Sequence, residues 1–226
     1  MKRLIVALDT SDLEQAKAWA RCVSPHVGAL KLGLEFFLAH GRQGYTALEG
    51  APIFLDLKLH DIPNTVAGAV RSVLPLQPAM LTVHAAGGPD MVAAAKEAAS
   101  RSASPPLILA VTVLTSLDRA VLRTVGIDRE VKDQVLHLAD MAVSRGADGL
   151  VCSPLEVAPL RRALGASVKL VVPGIRPEGA ARDDQARTMT PVDAIQAGAD
   201  WIVVGRPITA STDPAKVAAA IAAEIA

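Results

Sequence analysis

Ten consecutive residues, Asp56-Leu57-Lys58-Leu59-His60-Asp61-Ile62-Pro63-Asn64-Thr65, place a lysine between two carboxylates. They follow Ile53-Phe54-Leu55, an aliphatic run with the character of a buried strand. Charge beside a core is costly unless it is paired or used. In an extended strand Ile53, Leu55 and Leu57 share one face, and Phe54, Asp56 and Lys58 share the other. Asp56 and Lys58 then point the same way, two residues apart. Asp61 stands in the turn that opens the next helix, where Pro63 fits the first helical positions. Taken alone, this group is either a structural ion pair with a helix cap or a lysine kept charged for chemistry by flanking carboxylates.

A second group has the residue types of a phosphate site. Gly174 and Gly205 let backbone N–H groups approach an anion closely. Arg176 and Arg206 add guanidinium donors of the right geometry. The segment 173–190 is rich in Gly, Asp and Arg and exceeds the ~12–15 residues beyond which loops are usually functional or disordered. It reads as a lid over a phosphate, and Gln185 within it could bind the anion without adding charge.

These residues need elements to hold them together. Along the chain a short β-branched run, a few polar or Gly/Pro residues and an Ala-rich amphipathic stretch recur eight times. Strands are expected at 3–9, 29–32, 53–58, 80–84, 107–113, 149–152, 168–172 and 201–204. Helices are expected near 12–22, from 34, and over 65–74, 90–100, 118–125, 130–145, 155–164, 191–197 and 214–225, with Ser11 or Asp12 as the first cap. Strands alternating with helices imply a parallel sheet with crossover helices. Eight such units close into an α/β single-domain (β/α)8 TIM barrel over residues 1–226. An open doubly wound sheet is the rival, but no G-x-G-x-x-G follows the first strand; Asp9-Thr10-Ser11-Asp12 stands there instead.

In a barrel the site lies at the carboxyl ends of the strands. The polar residues collect at those positions: Asp9, Lys31, Asp56 with Lys58, His84, Thr115-Ser116, Ser153, Pro173 to Arg176, and Gly205-Arg206. One polar strand end is ordinary, whereas this many around one mouth is a site. His60 and His84 lack further ligands at helical or strand spacing and read as structural.

The bulk of the sequence removes other classes. Zero net charge with 3% aromatic residues leaves neither the basic face nor the stacking platforms of a nucleic-acid protein. No apolar run approaches the ~20 residues that span a bilayer. The start, Met1 to Leu8, imitates a signal peptide only faintly, since Asp9 ends it too early. Cys22 and Cys152 are far apart and in no ligand spacing, so a reducing cytoplasm is the expected compartment.

Together these residues resemble the orotidine 5'-phosphate decarboxylase family, in its bacterial form. The resemblance rests on Val6–Asp9 (VALD), Lys31–Gly33 (KLG), Asp56–Thr65 (DLKLHDIPNT), Val111–Ser116 (VTVLTS), Pro173–Pro177 (PGIRP) and Gly205–Ile208 (GRPI). The D-x-K-x-x-D core is shared with sugar-phosphate decarboxylases and aldolases of the same superfamily, and the longer string narrows it. The resemblance implies decarboxylation of orotidine 5'-phosphate to uridine 5'-phosphate, the last step of pyrimidine nucleotide synthesis, by a homodimer without metal or organic cofactor. Lys58 would be the proton donor, flanked by Asp56 and Asp61. Asp61, Ile62 and Thr65 would reach the neighbouring subunit's site. Asp9 and Lys31 would bind the ribose hydroxyls and hold the charge network, and Thr115 or Ser116 would contact the pyrimidine. Pro173, Arg176, Gln185, Gly205 and Arg206 would form the phosphate end. The alternatives are a Mg²⁺-dependent sugar-phosphate decarboxylase or aldolase, for which Glu35 is the one extra acid near the mouth, and a non-catalytic barrel that binds a phosphorylated metabolite.

Overall fold

The computed structural model describes residues 2–177 and 188–226. Its eight strands are β1 (Leu4–Ala7), β2 (Ala29–Leu32), β3 (Ile53–Leu59), β4 (Met80–His84), β5 (Leu107–Val111), β6 (Gly149–Val151), β7 (Lys169–Val172) and β8 (Trp201–Val204). Each pairs in parallel with the next, and β8 pairs with β1, so the sheet closes into a barrel. The expected strands are present. β1 ends at Ala7 rather than Asp9, β5 stops at Val111 rather than Val113, and β3 runs on to Leu59.

The strands form here because their residues are buried on both faces, as parallel strands require. Alternation splits them cleanly. Ile5, Phe54, Met80, Leu109, Val171 and Trp201 fill the barrel interior. Leu4, Leu30, Leu55, Leu81, Ile108 and Ile202 face outward and join the apolar faces of the helices, among them Ala16, Phe36, Val66 and Met91.

The connecting helices begin where the sequence offers caps. Asp12 Oδ1 accepts from the N–H of Glu14 and Gln15 at 2.9 and 3.0 Å, opening Leu13–Val23. Asp118, Thr190 and Asp213 cap Arg119–Thr124, Pro191–Gln196 and Pro214–Glu224 in the same way. Pro63, Pro89, Pro191 and Pro214 occupy first-turn positions, where a missing N–H costs nothing. The other α-helices among the described residues are Leu34–Thr46, Pro63–Val73, Pro89–Ser100, Val131–Ser144, Val157–Leu164 and a four-residue helix, Arg206–Thr209, directly after β8. That last helix was not expected from the sequence.

The amino-terminal rim of the barrel is held by carboxylates. Asp148, just before β6, accepts from the Ile108 N–H at 2.8 Å and from Lys96 Nζ at 2.6 and 2.7 Å. Asp200, just before β8, accepts from the Leu170 N–H at 2.9 Å, from Arg161 at 2.7 Å and from Lys169 at 3.2 Å. Each staples one strand start to its neighbour.

Candidate active site

The carboxyl ends of the strands enclose a cavity of about 460 Å³. Its floor is apolar, made by residues such as Phe54, Val151 and Val203. On the side of β1 to β3 it carries four charged groups in a chain. Lys58 Nζ donates to Asp56 Oδ1 and Oδ2, both at 2.9 Å. Lys31 Nζ lies 3.7 Å from Asp56 Oδ2 and donates to Asp9 Oδ1 at 3.0 Å. Positive and negative groups alternate, so each lysine faces a carboxylate. Gly33 makes room for this: a Cβ there would stand 3.1 Å from Asp9 Oδ1 and 3.3 Å from Lys31 Nζ.

Asp56 is buried, with 7% of its surface exposed. Burial alone would raise its carboxyl, but the ammonium groups of Lys31 and Lys58 and the hydrogen bonds from Lys58 and Thr82 outweigh it, so the group is held below its ordinary value.

Backbone geometry sets the direction of Lys58. Its φ is +48°, in the left-handed region that L residues other than Asn and Asp seldom enter. The pairing of β3 with β4 runs through Leu55 and Leu81 and resumes at Leu59 and Val83, so four residues of β3 advance against two of β4. Lys58 lies inside that irregularity. Such departures re-aim side chains beside sites.

At the ends of β7 and β8 the cavity is lined by Pro173, Gly174, Arg176, Gly205 and Arg206. Gly174 has φ +80°, a conformation that favours glycine. Gly205 differs: its φ is −111°, and an added Cβ would meet only an ordinary contact with Ala7. Arg176 is 9% exposed; its Nη1 donates to the Ile175 carbonyl at 3.1 Å, and among the described residues its Nε has no hydrogen-bond partner. A buried guanidinium with a free N–H is suited to an anion.

The sequence-derived set is thus brought together in large part. Asp9, Lys31, Asp56, Lys58, Thr115, Pro173, Arg176, Gly205 and Arg206 all line the one cavity. Ser116 is exposed and does not line it, whereas its neighbour Thr115 does. Asp61, Ile62 and Thr65 are exposed and lie off their own chain's cavity; Asp61 Oδ1 accepts from the Ile62 N–H at 2.7 Å. Gln185 lies outside the described residues, as does most of the expected lid. His60 and His84 stack on each other with centroids 5.2 Å apart and 19° between planes. His84 is held below its usual value by burial first, then by His60 and Lys58. Among the described residues no group of three or more His, Cys, Asp or Glu is placed to hold a metal ion. Glu35 is exposed and off the cavity.

Thr82 was missed. It is fully buried on β4, and its hydroxyl touches both Asp56 and Lys58. Alternation along Met80–His84 puts Thr82 on the inward face, which was the available signal, but a lone Thr in a β-branched run reads as a strand former.

Comparison with known proteins bears on this arrangement directly. Residues 2–221 match the model of the orotidine 5'-phosphate decarboxylase / HUMPS family. The chain belongs to that family. The orotidine 5'-phosphate decarboxylase of Thermobifida fusca is 56% identical over 225 residues, covering 98% of this chain and 95% of the relative. That of Gluconobacter oxydans is 54% identical over 230 residues, covering 99% and 97%. Among solved structures, the orotidine 5'-phosphate decarboxylase of Lactobacillus acidophilus superposes with a TM-score of 0.89 at 40% identity, covering 100% of this chain and 99% of the other. Family members of this kind share the whole barrel, so the cavity described above lies within the matched region.

Proposed function

We infer that the protein is a carboxy-lyase that converts orotidine 5'-phosphate to uridine 5'-phosphate and carbon dioxide in pyrimidine nucleotide synthesis. The observation that carries this reading is the alternating chain Asp9–Lys31–Asp56–Lys58 inside one cavity that Arg176 and Arg206 also line. Relatives of the same length, named for this reaction, support it.

Loss of carbon dioxide from C6 leaves an electron pair in the plane of the pyrimidine, where the ring π system takes up little of it. A site must then stabilise that charge electrostatically and protonate it promptly. An ammonium aimed at C6 does both. On this reading the C6–carboxyl bond breaks, its pair remains on C6, and Lys58 Nζ delivers the proton and is later reprotonated by water. Asp56 pairs with the Lys58 ammonium and aims it. Asp9 and Lys31 take the ribose hydroxyls, Thr115 faces the pyrimidine, and Pro173, Gly205, Arg176 and Arg206 hold the phosphate, with Gln185 assigned there from the sequence. Binding energy from the phosphate, remote from C6, can be used to order the reacting end.

The exposure of Asp61, Ile62 and Thr65, off their own cavity, supports a homodimer in which they complete the partner subunit's site. The two unpaired cysteines suit a reducing cytoplasm. A Mg²⁺-dependent sugar-phosphate enzyme would need a further acid near Asp56, and Glu35 does not join it.

The test separates binding from turnover. Lys58→Ala is expected to lose decarboxylation while still binding uridine 5'-phosphate, because the phosphate end is untouched. A Lys58→Ala protein with wild-type turnover would end this assignment.

A further inference from the structure

The Thr82 hydroxyl lies between the two residues on which the proposed reaction depends. Oγ1 accepts from the Lys58 backbone N–H at 2.7 Å and donates to Asp56 Oδ1 at 2.9 Å. The direction of both bonds is fixed by the partners. A backbone N–H only donates and an ionised carboxylate only accepts, so the single hydroxyl proton is committed to Asp56. The residue is fully buried.

Its place in the fold gives the two bonds their use. Lys58 sits within the β3–β4 irregularity with φ +48°. A left-handed conformation persists only where the surroundings hold it. The Lys58 N–H is held by the Thr82 side chain, and the β-branch of Thr82 leaves few χ1 choices, so the hydroxyl is a fixed point. The same oxygen fixes Asp56 Oδ1, which in turn receives Lys58 Nζ. One side chain therefore clamps both ends of Lys58, its backbone directly and its ammonium through Asp56.

We propose that Thr82 is a positioning residue of this site: its hydroxyl holds Lys58 in the left-handed turn and orients Asp56, so that Lys58 Nζ reaches the reacting carbon in one geometry. This rests on the decarboxylase reading above. Threonine meets the need because the position requires a donor and an acceptor on one short, stiff side chain. Valine has the shape without either, and serine has both with less stiffness.

The experiment compares wild type, Thr82→Val and Thr82→Ser for decarboxylation of orotidine 5'-phosphate and for binding of uridine 5'-phosphate. Loss of a hydrogen bond to a charged group predicts a kcat for Thr82→Val lower by about 10- to 100-fold, with KM within about threefold because the phosphate contacts lie elsewhere. Thr82→Ser is expected to retain kcat to within about fivefold. A pH profile supplies a readout that a purely structural role would not move. The charged groups facing Asp56 are Lys31 from β2 and Lys58 on its own strand, with Asp9, just after β1, behind Lys31 and His84 of β4 near Lys58. Thr82→Val leaves all of them in place but removes a donor that favours the carboxylate, so the acidic limb of kcat moves to higher pH. Wild-type kcat in Thr82→Val, a serine variant as poor as the valine one, or an unmoved acidic limb would each overturn the proposal. If Thr82→Val does not fold, Thr82→Ala against Thr82→Ser decides by the same criteria. A wild type inert towards orotidine 5'-phosphate overturns the site reading itself and this one with it, whereas an active wild type with an indifferent Thr82→Val overturns the positioning role alone.

Discussion

Lys58 carries a cost that its neighbours offset. A left-handed backbone at a residue with a Cβ is unfavourable by ~1–2 kcal/mol. Glycine is free of that cost, less some extra flexibility in the unfolded chain. Lys58→Gly is therefore expected to exceed Lys58→Ala in stability by about 1 kcal/mol in urea unfolding. Equal midpoints would show that the backbone at residue 58 relaxes once the lysine is gone and that no strain is held there. Asp56 supplies a second test at this scale. Its carboxyl is held below the ordinary 3.8, despite burial, by Lys31, Lys58 and Thr82. The sign follows: the charged array is intact above the ordinary value and is lost only as pH falls through the lower, native one. The acidic limb of kcat measured on the enzyme–substrate complex should therefore lie below 3.8, as far as the folded protein survives.

At the scale of elements, the two rims of the barrel divide the labour. Arg161, in the helix Val157–Leu164, donates to the carbonyls of Gly165 and Val168 at 2.8 Å, to Gly198 at 2.6 Å and to Asp200. It ties one helix end to the starts of β7 and β8, far from the cavity. Arg161→Ala is expected to cost roughly 1–3 kcal/mol of stability, since several part-buried acceptors lose a charged donor. Its kcat should match wild type at temperatures where it is folded, and a large loss of kcat would place the amino-terminal rim in the active machinery. Elements of this kind were legible in the sequence because each strand is buried on both faces and each helix repeats its apolar residues over several turns. Asp12, Pro63 and Pro191 announced their helices for the same local reasons. The helix Arg206–Thr209 escaped because four residues cannot show a period. The left-handed turn at Lys58 escaped because it arises from pairing with β4, a non-local fact, and the same pairing gives Thr82 its partners. The exposed Ser116 and lining Thr115 differ by one residue in a loop, a distinction no strand rule reaches.

For the whole molecule, charge linkage and assembly give the tests. Burial alone would raise Asp200, but the Leu170 N–H, Arg161 and Lys169 outweigh it and hold it low. A depressed native value means that Asp200 contributes stability above its ordinary pKa of 3.8 and loses it as pH falls through the native value. Urea midpoints across acid pH should fall less steeply in Asp200→Asn than in wild type, and parallel slopes would remove Asp200 from the acid response. In the proposed dimer, Lys58→Ala and Asp61→Ala subunits are each inactive alone. Re-equilibrated in equal amounts, they should regain about a quarter of wild-type activity, since half the dimers would be hybrids with one intact composite site. No recovery would mean that Asp61 serves its own subunit or none. Above all stands the reaction itself. The purified protein is mixed with orotidine 5'-phosphate in excess EDTA, and loss of orotate absorbance and release of carbon dioxide are followed beside Lys58→Ala. The account predicts full conversion to uridine 5'-phosphate by wild type and none by the variant; no conversion by wild type, even with Mg²⁺ restored, would contradict it.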